Sequence, residues 1–220
     1  MPPKQSAAFV CAMENVLQVY HREVLEDEVL VCLDESNKQL MGSLRDSVPP
    51  APGRTAKQDC DFVAGKKLNF FMVLAPQIGW RTVKVTEPRC VVDWAEVIEE
   101  LLTVHFPEKR KIILVQDNLN THNASSLYRR FAPEKARQFL DRLELHYTPL
   151  HGSWLNMAEI ELSALKRQCL QDRIATREEM QRKIAAWQRN TNEQKTKISW
   201  LFTVEDARRK LVRIYPTVLV

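Results

Sequence analysis

Two short apolar runs in this chain each pass directly into an aspartate, and no other feature constrains the fold as much. Val29-Leu-Val-Cys-Leu33 leads into Asp34, and Lys111-Ile-Ile-Leu-Val-Gln116 leads into Asp117. Continuous, β-branched runs of this length read as strands buried on both faces. Open α/β sheets place their sites at the carboxyl ends of such strands. If these two strands are neighbours, their carboxylates stand close together. That is electrostatically unfavourable unless a cation lies between them or one is protonated. The pair is therefore a candidate divalent-metal site, although each aspartate taken singly also reads as a polar strand end or an Asx turn.

The rest of the chain supplies the layers around such a sheet. Phe9, Met13, Val16, Leu17 and Tyr20 form a helical stripe over 6–21 with Ser6 as cap. The stretch 43–66, with Pro49, Pro50, Pro52, Gly53 and Gly65, reads as a loop. Leu68 to Leu74 and Arg81 to Val85 read as a hairpin around Pro76 and Gly79. Trp94, Val97, Ile98, Leu101, Leu102 and His105 recur at helical spacing up to Pro107, and a further helix is expected over about 123–141. Leu143 to Tyr147 reads as a fifth strand, followed by helices over roughly 154–170, 176–190 and 204–214. A hairpin followed by strands alternating with helices predicts a mixed sheet of five strands flanked by helices. This is the element order of ribonuclease H-like α/β domains. The expected division is a leading linker helix over 1–24, a catalytic domain over 25–172 and a C-terminal helical extension over 173–220.

Composition removes several function classes. The longest apolar run, Asn69 to Pro76, stops well short of the roughly 20 residues that cross a bilayer, so no membrane partner is expected. The N-terminal Met-Pro-Pro-Lys-Gln-Ser lacks the profile of a secretory signal, which predicts a reducing, cytoplasmic compartment. Cys11, Cys32, Cys60, Cys90 and Cys169 are scattered without a Cys-x-x-Cys pair and read as core or surface thiols. No Gly-x-Ser-x-Gly, His-Glu-x-x-His, Gly-x-Gly-x-x-Gly or Gly-Lys-Ser/Thr loop occurs. Charge is uneven: residues 1–110 hold 13 basic and 16 acidic side chains, and 111–220 hold 19 and 12. A basic C-terminal half is compatible with a polyanionic partner such as DNA.

A metal site needs a third acid, and the helix at 154–170 offers Glu159 and Glu161 on opposite flanks of its apolar face. Periodicity does not choose between them. Glu159 has the advantage of Asn156 three residues earlier on its own flank. His122 and His151 stand near the acidic ends and read equally as structural residues or as contacts to phosphate or to the acids.

At this point the motifs resemble a known family. Val31-Cys-Leu-Asp34-Glu35, Val115-Gln-Asp117-Asn118-Leu-Asn120-Thr-His122 and Tyr147-Thr-Pro149-Leu-His151-Gly-Ser-Trp154-Leu-Asn156-Met-Ala-Glu159 are similar to the three catalytic blocks of DDE transposases. The branch they resemble is the bacterial insertion-sequence branch of the mariner superfamily. The segments Pro52-Gly53-Arg54, Gly79 to Glu87, Arg167 to Leu170 and Phe202 to Arg208 look like the same branch, so the likeness spans about 25–215. In that family the third acid follows an Asn by three residues, which implies Glu159. The interval of 41 residues between Asp117 and Glu159 is longer than in the typical mariner-like pattern and suits a longer helix around 123–141.

The resemblance implies metal-dependent DNA cleavage and strand transfer, with two Mg²⁺ or Mn²⁺ ions held by Asp34, Asp117 and Glu159. It implies DNA-backbone contacts or support of the acids for Glu35, Asn118, Asn120, His122, His151, Trp154 and Asn156, and non-specific phosphate contacts for Lys166, Arg167 and the Arg208-Arg209-Lys210 cluster. The expected partners are transposon-end and target DNA and a second copy of the chain. The family carries an N-terminal helix-turn-helix region, and nothing before Ser6 resembles one, so a separate DNA-binding polypeptide is a further expected partner. The expected place of action is the bacterial cytoplasm, in association with the nucleoid. The rival expectations are a ribonuclease H-like nuclease without strand transfer, and an inactive or co-opted fragment that binds DNA.

Overall fold

Strand alternation sorts the core into two layers. The computed structural model of the chain describes residues 5–43, 51–55, 62–87, 91–119 and 121–217. Its sheet contains β1 (Glu28–Ser43), β2 (Phe62–Ala75), β3 (Trp80–Thr86), β4 (Lys111–Gln116) and β5 (Leu143–Tyr147), in the order β3-β2-β1-β4-β5. The β1–β2 and β2–β3 pairs are antiparallel, while β1–β4 and β4–β5 are parallel. The expected five-stranded mixed sheet is therefore present. Because successive side chains point to opposite faces, Leu30 and Cys32 enter one core and Val29, Val31 and Leu33 the other.

The first core is covered by α1 (Ala7–His21), α5 (Met157–Gln168), α6 (Arg177–Glu193) and α7 (Val204–Lys210). The second lies under α2 (Val91–Glu100), α3 (Ala124–Arg130) and α4 (Pro133–Asp141). Caps explain several helix starts. The side chains of Ser6, Asn156, Thr176 and Thr203 accept from the first-turn N–H groups of α1, α5, α6 and α7. α2 runs on into a π-helical turn, Leu101–His105, whose end is bound by Arg142 donating to the Leu102, Phe106 and Lys109 carbonyls. Among the described residues no helix is long and apolar enough to cross a membrane.

Three elements differ from expectation. β1 does not end near Asp34; it continues to Ser43, paired on that stretch with β2. The expected loop over 43–66 gives up its last residues, from Phe62, to β2. The single helix expected over 123–141 is two helices, α3 and α4. Ala132 precedes Pro133 and is forced to an extended ψ of 147°, which breaks the run, and Pro133 then opens α4.

β3 is an edge strand whose outward groups are met by side chains of α6. Asn192 accepts from the Arg81 N–H and donates to the Arg81 carbonyl, Gln188 accepts from the Val83 N–H, and Arg177 donates to the Val85 carbonyl. Cys11, Cys32 and Cys169 are free thiols, and burial pushes Cys32 up to about 12, so it is an inert core residue as expected. Cys60 and Cys90 lie outside the described residues.

Candidate active site

The register of β1 on β4 builds the site. Their parallel pairing ends at Leu33 opposite Gln116, so Asp34 and Asp117 are the next residue on each of two adjoining strands. At that point β4 gives way to loop while β1 continues along β2, so the first acid sits within a strand and the second at the end of one. The Glu35 N–H donates to Asp34 Oδ1 at 2.8 Å. Burial, reinforced by the charges of Asp117 and Glu159, pushes the Asp34 carboxyl up to about 7, against the pull of that hydrogen bond and of His122. Asp34 thus senses the charge of both other acids of the expected triad.

The third acid is delivered by the start of α5. Asn156 is buried. Its Oδ1 accepts from the Ala158 N–H at 3.1 Å and its Nδ2 donates to the Leu33 carbonyl at 2.8 Å. The same amide therefore caps α5 and fastens it to β1 immediately before Asp34, and Glu159 lies in the first turn. Glu159 Oε2 is buried and has no hydrogen-bond partner among the described residues. Tyr20 of α1 adds a second tie by donating to the Leu155 carbonyl at 2.7 Å.

Glu161 takes a different part. Its Oε2 lies 3.1 Å from Nε of Arg81, a residue with a fully buried side chain. Arg81 also donates to the carbonyls of Thr191 and Thr196, so the pair joins α5, β3 and the end of α6. Burial pushes Glu161 up while the Arg81 guanidinium holds it down. The two glutamates that periodicity left open are thereby separated: one has an internal cation and the other does not.

Behind Asp117 stands His122, which is fully buried. Its Nδ1 lies 2.5 Å from Asp117 Oδ1 and its Nε2 3.5 Å from Glu35 Oε2. Glu35 in turn accepts from Asn69 Nδ2 at 2.8 Å. These contacts place Asn69, Glu35 and His122 in one row behind Asp117.

Around the acids, Asn118 and His151 are exposed and line a cavity of about 490 Å³ together with Phe9, Tyr147 and Leu150. His151 has a positive φ of 63° in the turn before the 3-10 segment Ser153–Leu155. Trp154 is 41% exposed, with its ring edge-on to Phe202 at 6.3 Å. Lys166 and Arg167 are exposed in the last turn of α5. The Arg208-Arg209-Lys210 cluster is less free than expected, because Arg208 pairs with Glu14 while Arg209 and Lys210 pair with Asp206. Asn120 lies outside the described residues. The sequence does not mark Arg81 or Gln116, polar residues at the start and end of short strands, as part of the site; Asn69, which interrupts the apolar run of β2, carries the one local signal.

The donor set fits a hard divalent cation. Three carboxylates supply oxygen ligands of the kind Mg²⁺ and Mn²⁺ take, and a buried, unpartnered Glu159 oxygen beside two further acids is a negative site that a cation would balance. Among the described residues, however, no three His, Cys, Asp or Glu side chains yet lie close enough to hold an ion between them. The charges are assembled, and the final approach of the carboxylates is left open.

A family model described as DDE superfamily endonuclease matches residues 29–181, a span that includes all three acids. Among solved structures, the chain is similar to the Mos1 mariner paired end complex with Mn, at 17% identity over 89% of this chain and 60% of that one, with a TM-score of 0.57. For the Mos1 Strand Transfer Complex the figures are 16%, 86%, 55% and 0.58. For a pre-cleavage Mos1 transpososome they are 14%, 89%, 64% and 0.53. The chain thus spans less than two thirds of each of those proteins, and at these identities the likeness is one of fold, of the ribonuclease H-like kind. No curated protein matches the sequence.

Proposed function

Since the chain belongs to the DDE superfamily endonucleases, we propose that it is a transposase catalytic domain that cuts DNA and joins the freed end to a target, with Asp34, Asp117 and Glu159 as its metal-binding catalytic residues. The observation that carries this reading is the parallel register, which brings Asp34 and Asp117 side by side at Leu33 and Gln116 while Asn156 fastens the Glu159 turn to the same strand.

Two Mg²⁺ or Mn²⁺ ions bound by these carboxylates would act as Lewis acids, stabilising the attacking and leaving oxygens of an in-line displacement at phosphorus. The protein's own part is to hold three negative side chains together in a partly dry site, to prevent their rotation and to admit a phosphodiester at the exposed edge. Asp34 and Asp117 project from adjoining strands, so their separation is set by the sheet. Glu159 comes from a helix, and its approach depends on the Asn156 tether. Exposed Asn118, His151, Trp154, Lys166 and Arg167 are the DNA-facing groups of this reading.

In this reading residues 25–172 form the catalytic unit, with 1–24 as a leading segment that carries α1 and 173–220 as an extension whose helices cover the same sheet face as α5. DNA is the partner, and joining two element ends calls for a second copy of the chain. The cytoplasm, at the nucleoid, is where a bacterial protein of this kind would meet its substrate. The test is cleavage of supercoiled plasmid by purified protein with Mn²⁺ or Mg²⁺, beside Asp117→Asn and Asp34→Asn. Nicking by the wild type alone, with strand-transfer products when a target plasmid is added, is the expected result. Nicking without joined products makes the chain a nuclease only, and nicking that survives both substitutions removes the metal-triad reading. If cleavage shows no preference for element ends, recognition of those ends lies outside residues 1–220, and a separate DNA-binding polypeptide is one source of it.

A further inference from the structure

Asp117 and Asp34 differ in how they are held. Asp34 accepts from a backbone N–H, whereas Asp117 is held by a side chain that is itself held. The His122 ring lies near-parallel to Trp94, with centroids 6.2 Å apart and 21° between the planes, and Phe71 lies 5.9 Å away. The His122 carbonyl accepts from Gln116 Nε2 at 2.8 Å, and Gln116 Oε1 accepts from Trp94 Nε1 at 2.9 Å. Both the backbone and the ring of His122 are thereby fixed. Along the ring axis run Asn69, Glu35, His122 and Asp117, each polar group facing the next.

As packing alone, this arrangement makes little sense. The space between Trp94 and Phe71 could be filled by an apolar side chain without burying an imidazole between two carboxylates, and a buried ionic group is weak evidence for stability. The row instead constrains one atom, Asp117 Oδ1. Partners that hydrogen-bond a ligating carboxylate orient it, and their loss commonly costs 10–100-fold in metal affinity.

We propose that His122, fixed by its packing against Trp94 and Phe71 and facing Glu35 on its far side, is the positioning residue of Asp117, and that its hold on Oδ1 orients the carboxylate for a divalent cation. The inference rests on the metal-site reading above, and its test keeps the two apart.

The experiment is titration of the purified full chain with Mn²⁺ alone, followed by the electron paramagnetic resonance of the free ion, with thermal unfolding as the check on folding. The variants are Asp117→Asn, His122→Leu, His122→Asn and His122→Gln. Asn can place its amide N–H near the position of Nδ1, whereas Gln places it near that of Nε2. Expected is loss of tight Mn²⁺ binding in Asp117→Asn, binding about 10–100-fold weaker in His122→Leu and His122→Gln, and recovery close to wild type in His122→Asn. Wild-type affinity in His122→Leu, or equal weakness of His122→Asn and His122→Gln, overturns the positioning role while leaving Asp117 a ligand. Wild-type affinity in Asp117→Asn overturns the metal site and the proposal together. Should His122→Leu fail to fold, the Asn and Gln pair decides the matter by the same criterion.

Discussion

Glu159 and Glu161 lie two positions apart on α5 and carry the same carboxylate, yet the protein treats their charges in opposite ways. Glu161 is buried against the guanidinium of Arg81, and that cation is itself bound by two carbonyls. Glu159 has a buried oxygen with no partner and adds its charge to that of Asp34 and Asp117. The charge of Glu161 is neutralised within the fold, while that of Glu159 is left, in the function proposed above, for a cation that arrives from outside.

The sharpest way to break this contrast is Arg81→Leu, which strands Glu161 in the core. Removing one member of a buried ion pair costs about 3–5 kcal/mol, read as a lowered urea midpoint, and the Arg81→Leu, Glu161→Leu double variant is expected to recover most of it. Glu159→Gln should do the reverse. It relieves repulsion, so unfolding free energy holds or rises, while cleavage falls by roughly 3–4 kcal/mol of transition-state stabilisation, on the order of 10²–10³-fold. If Glu159→Gln unfolds the protein and Glu161→Gln abolishes cleavage in a folded one, the two assignments are exchanged.

The tether between the two behaviours is Asn156. Asn156→Ala removes the cap of α5 and leaves the Leu33 carbonyl unsatisfied, a loss of about 1–3 kcal/mol. Asn156→Asp keeps the cap but cannot donate to Leu33, and it adds a fourth acid beside the site. It should therefore lose cleavage out of proportion to stability.

The smallest effect belongs to a half-exposed pair far from the acids. Two hydrogen bonds from Arg22, with a further one from His146, pull Glu144 down from 4.5 to about 2. A depressed carboxyl contributes stability that is complete above pH 4.5 and lost as pH falls toward 2. With both side chains a third exposed, the contribution is about 0.2–1 kcal/mol, and Glu144→Gln should flatten the acid limb of the stability curve by that amount.

Much of this was legible in the chain because strand runs announce their ends. Asp34 and Asp117 follow apolar runs that can only be buried, and Asn156 marks the helix that carries the third acid. The division of labour between Glu159 and Glu161 was not legible, since it is made by Arg81, a residue 80 positions earlier that reads locally as the first of a short strand. Residues 34–42 hid the second half of β1 because, among those whose burial is described, only Leu40 is buried, so no alternation betrays the pairing with β2. The part played by His122 stays open in the sequence because position along the chain says nothing about which side of Asp117 a ring occupies. The break before Pro133 is readable in the chain, because a proline forces the residue before it out of the helical region.

The line of Asn192, Gln188 and Arg177 along β3 has a consequence beyond packing. An uncovered outer strand is a template on which another chain can crystallise its own backbone, and here the rungs Arg81, Val83 and Val85 are already claimed by side chains that imitate a neighbouring strand. The sheet cannot be extended from that border while α6 is in place, so copies of this protein would have to meet through other surfaces. Shortening the chain ahead of α6 would undo that protection and turn a soluble border into a seed for filaments.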